Sequence, residues 1–170
     1  MIRTTLATLM LAALAGPALA HATLETAEAR VGATYKAVLR VPHGCGTLPT
    51  HTVRIQIPEG FYNVKPMPKA GWTLETVTGA YAKPYDNHGT KLTEGVKEIV
   101  WSGGNLPNEW YDEFVFRGSF AADLPVDTVF YFPAVQECAG AEEAWIDTTG
   151  DPKADMPAPG VKLIKGGHGH

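Results

Sequence analysis

The sequence predicts an all-β protein, a single β-sandwich of antiparallel sheets with an immunoglobulin-like or cupredoxin-like plan. Short segments rich in β-branched and aromatic residues recur along the chain, and clusters of proline, glycine and asparagine separate them. No window longer than two helical turns keeps an apolar period of 3.6 residues. These observations favour sheets throughout.

The clearest strand is "TVRIQIP", residues 52–58, in which Val53, Ile55 and Ile57 alternate with polar residues. A period of two is typical of a strand with one buried face. The composition predicts six further strands, at residues 34–42, 72–77, 97–101, 112–120, 127–135 and 161–165. The segments "KPMPKAG", "KPYDNHG" and "SGGNLPNE" are expected to form turns between them.

The first twenty residues are typical of a secretory signal peptide. Arg3 supplies a positive charge, residues 6–15 are apolar, and Ala18-Leu19-Ala20 gives an A-x-A ending. The apolar stretch is too short to span a bilayer comfortably. We therefore expect cleavage after Ala20, a mature chain that begins at His21, and a periplasmic or extracellular location.

Three segments are expected along the chain: the signal peptide at 1–20, a β-sandwich domain at 21–150, and a carboxyl-terminal segment at 151–170. The last segment combines one strand with a tail rich in glycine and histidine. The mature length suits one domain with a sizeable core.

Composition and motifs argue against several functions. The formal net charge is −4, and no basic run is present that would attract nucleic acid. The chain has no Ser-His-Asp order, nucleophile elbow, phosphate loop or zinc-protease motif. The protein is therefore not expected to be an enzyme.

Two cysteines, Cys45 and Cys138, are present. In an exported chain such a pair normally forms a disulfide, which we expect here. Closing so long a loop contributes ~4 to 5 kcal/mol in the chain-entropy model. The alternative is a two-thiolate site for reduced copper.

A mature chain that begins at His21 would carry an unusual pair of metal donors. The α-amine and the ring Nδ1 lie on the same residue, so both can bind one ion in a six-membered chelate ring. Nitrogen donors in a tetragonal arrangement suit Cu(II) better than other common divalent ions. The alternative is that signal cleavage leaves a histidine at the end by chance.

His43, in "VPHGCGTLPTH", is a second candidate ligand. A bridged Cys45 would pin the bend that carries it and hold the imidazole at a strand end. The alternative is a loop histidine that hydrogen-bonds to the backbone. The other histidines are expected to be solvated or to bind metal only weakly in the tail: His51, His88, His168 and His170.

Several motifs in order resemble the YcnI-like family of exported copper-binding proteins. The motifs are an export signal that ends directly before histidine, then "YKAVLRVPHGC", "VKPMPKAGW", "EIVWSGGNLPNEWYDEF" and "YFPAVQEC" followed by "AW". The resemblance covers residues 21 to about 148. It implies a β-sandwich with a Cu(II) site called a monohistidine brace, built on the amino-terminal histidine.

The family site carries over to His21 as the brace and to Trp145 as the tryptophan that completes or shields it. The family carboxylate has no counterpart, because His43 and Gly44 stand at its place. His43 is therefore expected to be the third ligand. The remaining tryptophans are expected to be structural: Trp72, Trp101 and Trp110.

These expectations describe a protein that holds Cu(II) in periplasmic copper storage, trafficking or homeostasis. Its partners would be the copper ion and a second periplasmic copper chaperone or a membrane copper transporter. Two alternatives remain open from the sequence. One is a copper oxidoreductase of the monooxygenase type, with His21 and His43 as its ligands, and the other is a metal-free interaction sandwich.

Overall fold

The computed structural model describes residues 21–166, which form twelve β-strands and no helix, so no membrane-spanning helix occurs among them. The strands are β1 (Thr23–Leu24), β2 (Glu28–Arg30), β3 (Thr34–Val41), β4 (Thr50–Gln56), β5 (Phe61–Pro66), β6 (Thr73–Asn87), β7 (Thr90–Leu106), β8 (Asp112–Phe120), β9 (Val129–Tyr131), β10 (Ala134–Cys138), β11 (Ala141–Trp145) and β12 (Gly160–Ile164). The all-β prediction is confirmed. The predicted signal peptide, His168 and His170 lie outside the described residues.

Two antiparallel sheets form the sandwich, with strand orders β1-β3-β8-β5 and β11-β10-β4-β7-β6. A smaller sheet of order β2-β12-β9 completes the fold, and β12 pairs parallel with β2 and antiparallel with β9.

The core lies between the inner faces of the two large sheets. Val53 and Ile55 of β4 are buried there, as the period-two pattern predicts. Phe61 is fully buried, and its ring contacts those of Phe120 and Phe132 at centroid distances of 4.8 and 5.1 Å. Tilted and edge-on ring pairs of this kind contribute beyond the area they bury.

Four predicted strands agree with β3, β4, β8 and β12 to within two residues at each end. The strands predicted at 72–77 and 97–101 belong to a much longer hairpin, β6 and β7. The strand predicted at 127–135 divides into β9 and β10 around Pro133, which has no N–H to donate. The sequence pattern missed β1, β2, β5 and β11, since these strands are short or polar.

Two predicted turns were wrong. Most of "KPYDNHG" and "SGGNLPNE" continues β6 and β7, and the hairpin turns only at His88-Gly89. Both turn residues have positive φ, 53° and 84°, as a two-residue type I′ hairpin requires. Pro84 is tolerated inside β6 because β6 is an edge strand, where a missing N–H breaks no ladder.

The two large sheets face each other at two lateral edges. At one, which we call the histidine edge, β1 meets β11, and the ring of His21 contacts that of Trp145. At the other, which we call the tyrosine edge, β5 meets β6. There Tyr62 and Tyr85 stack with ring centroids 4.6 Å apart and planes within 3°.

Candidate metal centre

His21 is held by the short strand that follows it. In β1, Thr23 pairs with Arg40 and Leu24 with Leu39 of β3. The pairing ends at Thr23, but the same register continued two residues toward the amino end would place His21 opposite Pro42. The chain at His21 therefore runs toward the segment that carries His43, the predicted third ligand.

Trp145 closes the other side of His21. It is the last residue of β11, only 4% exposed, and its ring centroid lies 5.7 Å from that of His21 in an edge-on arrangement. The two residues that the family resemblance assigns to the site are thus in contact, across the gap between the two sheets. His21 itself remains partly exposed.

Gln136 is a site residue that sequence reasoning missed. Its side chain is buried and donates from Nε2 to the His43 carbonyl at 2.6 Å and to Thr50 Oγ1 at 2.7 Å. The Trp145 indole N–H donates to Gln136 Oε1 at 3.4 Å. One amide therefore connects the indole to the His43 backbone. The available signal was a polar residue on the buried face of β10, between Ala134 and Cys138.

The expected disulfide between Cys45 and Cys138 is confirmed, with a sequence separation of 93. Because the two sulfurs are bonded to each other, the two-thiolate copper site is wrong for this protein. Backbone hydrogen bonds between Cys45 and Leu48, at 2.8 and 3.1 Å, fix the same loop a second time. The His43 segment is thus anchored both covalently and by the backbone.

Position 44 of this bend cannot carry a carboxylate. A Cβ at this position would lie 2.2 Å from the Leu48 carbonyl oxygen, so any side chain would collide with backbone. The side chain of this bend that could bind a metal is then His43. Its Nδ1 lies within hydrogen-bond distance of the Gly44 carbonyl oxygen, which makes Nε2 the nitrogen that would ligate a metal.

Side chains alone do not assemble a metal site among residues 21–166, since no group of three or more His, Cys, Asp or Glu side chains is positioned to hold an ion. A brace differs because one of its donors is the main-chain amine. One carboxylate lies on the relevant face: Glu143 pairs directly with Gln136, so the two side chains point the same way, as does Trp145 two residues later.

The other tryptophans differ in burial. Trp101 is fully buried and donates to the Met67 carbonyl at 3.1 Å, and Trp72 packs on Phe114 with ring centroids 4.9 Å apart. Both are structural, as expected. Trp110 is 67% exposed, so its ring is not part of the core, contrary to the structural role expected for it.

Known proteins give three findings. A crystal structure of an uncharacterized protein from Nocardia farcinica, described as immunoglobulin-like, superposes with TM-score 0.63 and 19% identity, over 85% of this chain and 99% of that one. This likeness shows the fold. A provisionally named membrane-anchored protein from Corynebacterium diphtheriae reaches only TM-score 0.41 and 12% identity, over 86% of this chain and 34% of its own. No curated protein matches the chain.

The family is shown by a match over most of the described residues. Residues 21–163 match the model of the domain of unknown function DUF1775. The chain therefore belongs to this family, which is the YcnI-like family that its motifs resemble.

Proposed function

We propose that the mature protein, beginning at His21, binds one Cu(II) ion through the α-amine and Nδ1 of that residue. It holds copper for storage, trafficking or homeostasis outside the cytoplasm and does not turn over a substrate. The contact between the ring of the partly exposed His21 and the buried Trp145 ring carries this proposal. That contact fixes an imidazole at the sandwich edge while leaving it accessible to an ion.

Export is part of the proposal, because the His21 nitrogen is an amine only after cleavage at Ala20. Two observations support export. The family match begins at residue 21, and the Cys45–Cys138 disulfide suits an oxidising compartment. The location that follows is periplasmic or extracellular.

Cu(II) prefers four close donors in a plane, and His21 supplies two. His43 Nε2 is the proposed third donor. Two observations support this: the register of β1 directs the chain at His21 toward the His43 segment, and the disulfide holds that segment. Water completes the plane. The Trp145 ring covers one side, where it excludes water and adds a cation–π attraction.

The accessible side of His21 is where copper would be exchanged. A second periplasmic copper chaperone or a membrane copper transporter is the proposed partner, and it would approach the histidine edge opposite to Trp145. The short β1, with two paired residues, lets the amino end be reached without disturbing the core.

The decisive experiment is a Cu(II) titration of tag-free mature protein, followed by electron paramagnetic resonance. The comparison is a variant with Gly-Pro added before His21. This moves the amine away from the imidazole, and the proline amide has no N–H that copper could displace to chelate the terminus in another way. We expect the extension to weaken binding on the order of 100-fold, or ~2.8 kcal/mol. Gly-Pro added at the carboxyl end is the control, and equal binding by all three proteins would refute the brace.

A further inference from the structure

We propose that the tyrosine edge carries a second site, which binds a phosphate group through Arg117 and Lys65. This inference is independent of copper and of the proposed function. It begins from a row of three cations on the outer face of the sheet that contains β3, β8 and β5.

The row consists of Lys36, Arg117 and Lys65, one from each strand. Arg117 pairs directly with Lys36 on one side and with Lys65 on the other. Like charges directly opposite each other destabilise a sheet. Among residues 21–166, none of the three side chains forms an ion pair or a hydrogen bond. The folded protein therefore carries a repulsion that an anion would offset.

A β-bulge places one member of this row, Lys65. The register of β5 against β8 shifts between Tyr62 and Lys65, and Asn63 within the shift has φ 52°. Continuing the Tyr62–Ser119 register without the shift would set Val64 opposite Arg117. The bulge instead places Lys65 there. Bulges commonly re-aim side chains beside binding sites.

A cavity of about 220 Å³ adjoins Arg117 and Lys65. Its volume is roughly seven times the ~30 Å³ that one water occupies in the liquid. The tip of the β6–β7 hairpin, at Asn87 and His88, forms the opposite wall, and Asn63 lies between. No aspartate or glutamate of the described chain lines this cavity.

The donors around the cavity suit a tetrahedral oxyanion. The Arg117 guanidinium is a planar fork that can bind two phosphate oxygens at once, and Lys65 adds a second positive charge. Asn63 donates to Asn87 Oδ1 at 3.3 Å, which leaves the Asn87 NH2 group as a donor. The hydroxyls of Thr34 and Ser119, 3.3 Å apart, provide a further O–H at the floor.

A phosphate group reaches such a site either on a soluble molecule or on a lipid headgroup. On the far side of Arg117 lies an open groove of about 340 Å³ lined by Pro66, Met67 and Val115. This apolar groove could accept the organic part of either molecule. The shared chemistry is the phosphate group, and the experiment separates its sources.

The test is a titration of the mature protein with inorganic phosphate, followed by amide NMR shifts and by the Tm. We expect shifts at residues 63–65, 87–88 and 117, and a Tm that rises with phosphate because the ligand binds only the folded state. Arg117→Gln should weaken binding at least about tenfold, whereas Lys153→Gln, which removes an exposed lysine elsewhere, should bind like the parent.

The Tm of Arg117→Gln without phosphate also shows whether this variant folds. Without phosphate it should melt at or above the parent Tm, since the substitution removes a like-charge contact. The proposal fails if phosphate causes no shift at these residues, or if Arg117→Gln responds as the parent does. Co-sedimentation with phosphatidylcholine vesicles that contain phosphatidic acid, lost in Arg117→Gln, would identify a lipid source. Phosphate binding without co-sedimentation would identify a soluble one.

Discussion

The two lateral edges of the sandwich are joined in different ways. At the histidine edge, the Gln136 amide links the Trp145 indole to the His43 backbone, and a disulfide holds the loop. At the tyrosine edge, stacked rings and exposed ion pairs such as Lys83–Asp123 join the strands. The adjoining row of Lys36, Arg117 and Lys65 forms no ion pair among the described residues.

The two edges would therefore bind a ligand for different physical reasons. At the histidine edge the polar groups of Gln136, Thr50 and Trp145 are already hydrogen-bonded, so the proposed copper ion would meet donors held in place. At the tyrosine edge a ligand removes a repulsion that the folded protein otherwise carries. Substitutions that disturb the first edge should therefore destabilise the protein, and removal of a cation from the second should not.

The largest expected effect is loss of the disulfide. Replacing both cysteines, Cys45→Ser with Cys138→Ser, should lower the free energy of unfolding by ~4 to 5 kcal/mol, because the bridge closes a long loop in the unfolded chain. Urea denaturation measures this. The parent protein unfolded under reducing conditions should give the same curve, and a loss below ~1 kcal/mol would show that the bridge does not hold the histidine edge.

Gln136→Leu should cost ~2 to 4 kcal/mol, because the Thr50 hydroxyl, the His43 carbonyl and the Trp145 N–H lose their partner in a buried place. Gln56→Leu is the matched control, since Gln56 is exposed on β4. Its effect should stay within ~0.5 kcal/mol. Similar denaturation midpoints for the two variants would contradict a role of the amide in joining the edge.

Alkaline pH should weaken the tyrosine edge. Burial, together with the hydrogen bond to Glu59, raises the pKa of Tyr85 to about 12. A raised pKa means that the folded state holds the proton more tightly than the unfolded chain, whose tyrosines titrate near pH ~10. This contribution is complete below pH ~10 and is lost as pH rises toward 12.

The measurement is the free energy of unfolding between pH 9 and pH 12, where we expect a loss on the order of 2 kcal/mol from Tyr85. Tyr85→Phe should lose less stability over this range than the parent. Tyr111→Phe, at an exposed tyrosine, should follow the parent. A parent curve that is flat above pH 10 would contradict the burial argument.

The smallest effect concerns the third copper ligand. His43→Ala should weaken Cu(II) binding about tenfold, or ~1.4 kcal/mol, and move the hyperfine pattern from three nitrogens toward two. Trp145→Phe should keep the nitrogen count and change water access. If Glu143→Gln weakens binding and His43→Ala does not, the third ligand is the carboxylate on the Gln136 face.

The sequence predicted what depends on local pattern. The alternation in 52–58 located β4, and the ordered motifs named His21 and Trp145, which the fold brings into contact. Features that depend on the register between strands could not be predicted from the sequence. Arg117 and Lys65 lie far apart in the chain, and only the bulge at Asn63 sets them side by side. The role of Gln136 likewise depends on its three hydrogen-bond partners, which only the fold brings together.

The bulge in β5 has a second consequence, for contacts between molecules. β5 is an edge strand, and an edge strand exposes unpaired N–H and C=O groups to which another chain could add. The kink at Asn63 and the missing N–H of Pro66 interrupt that row of groups, and Lys65 adds charge beside it. The same residues that shape the proposed phosphate cavity thus protect β5 from edge-to-edge aggregation while the chain folds.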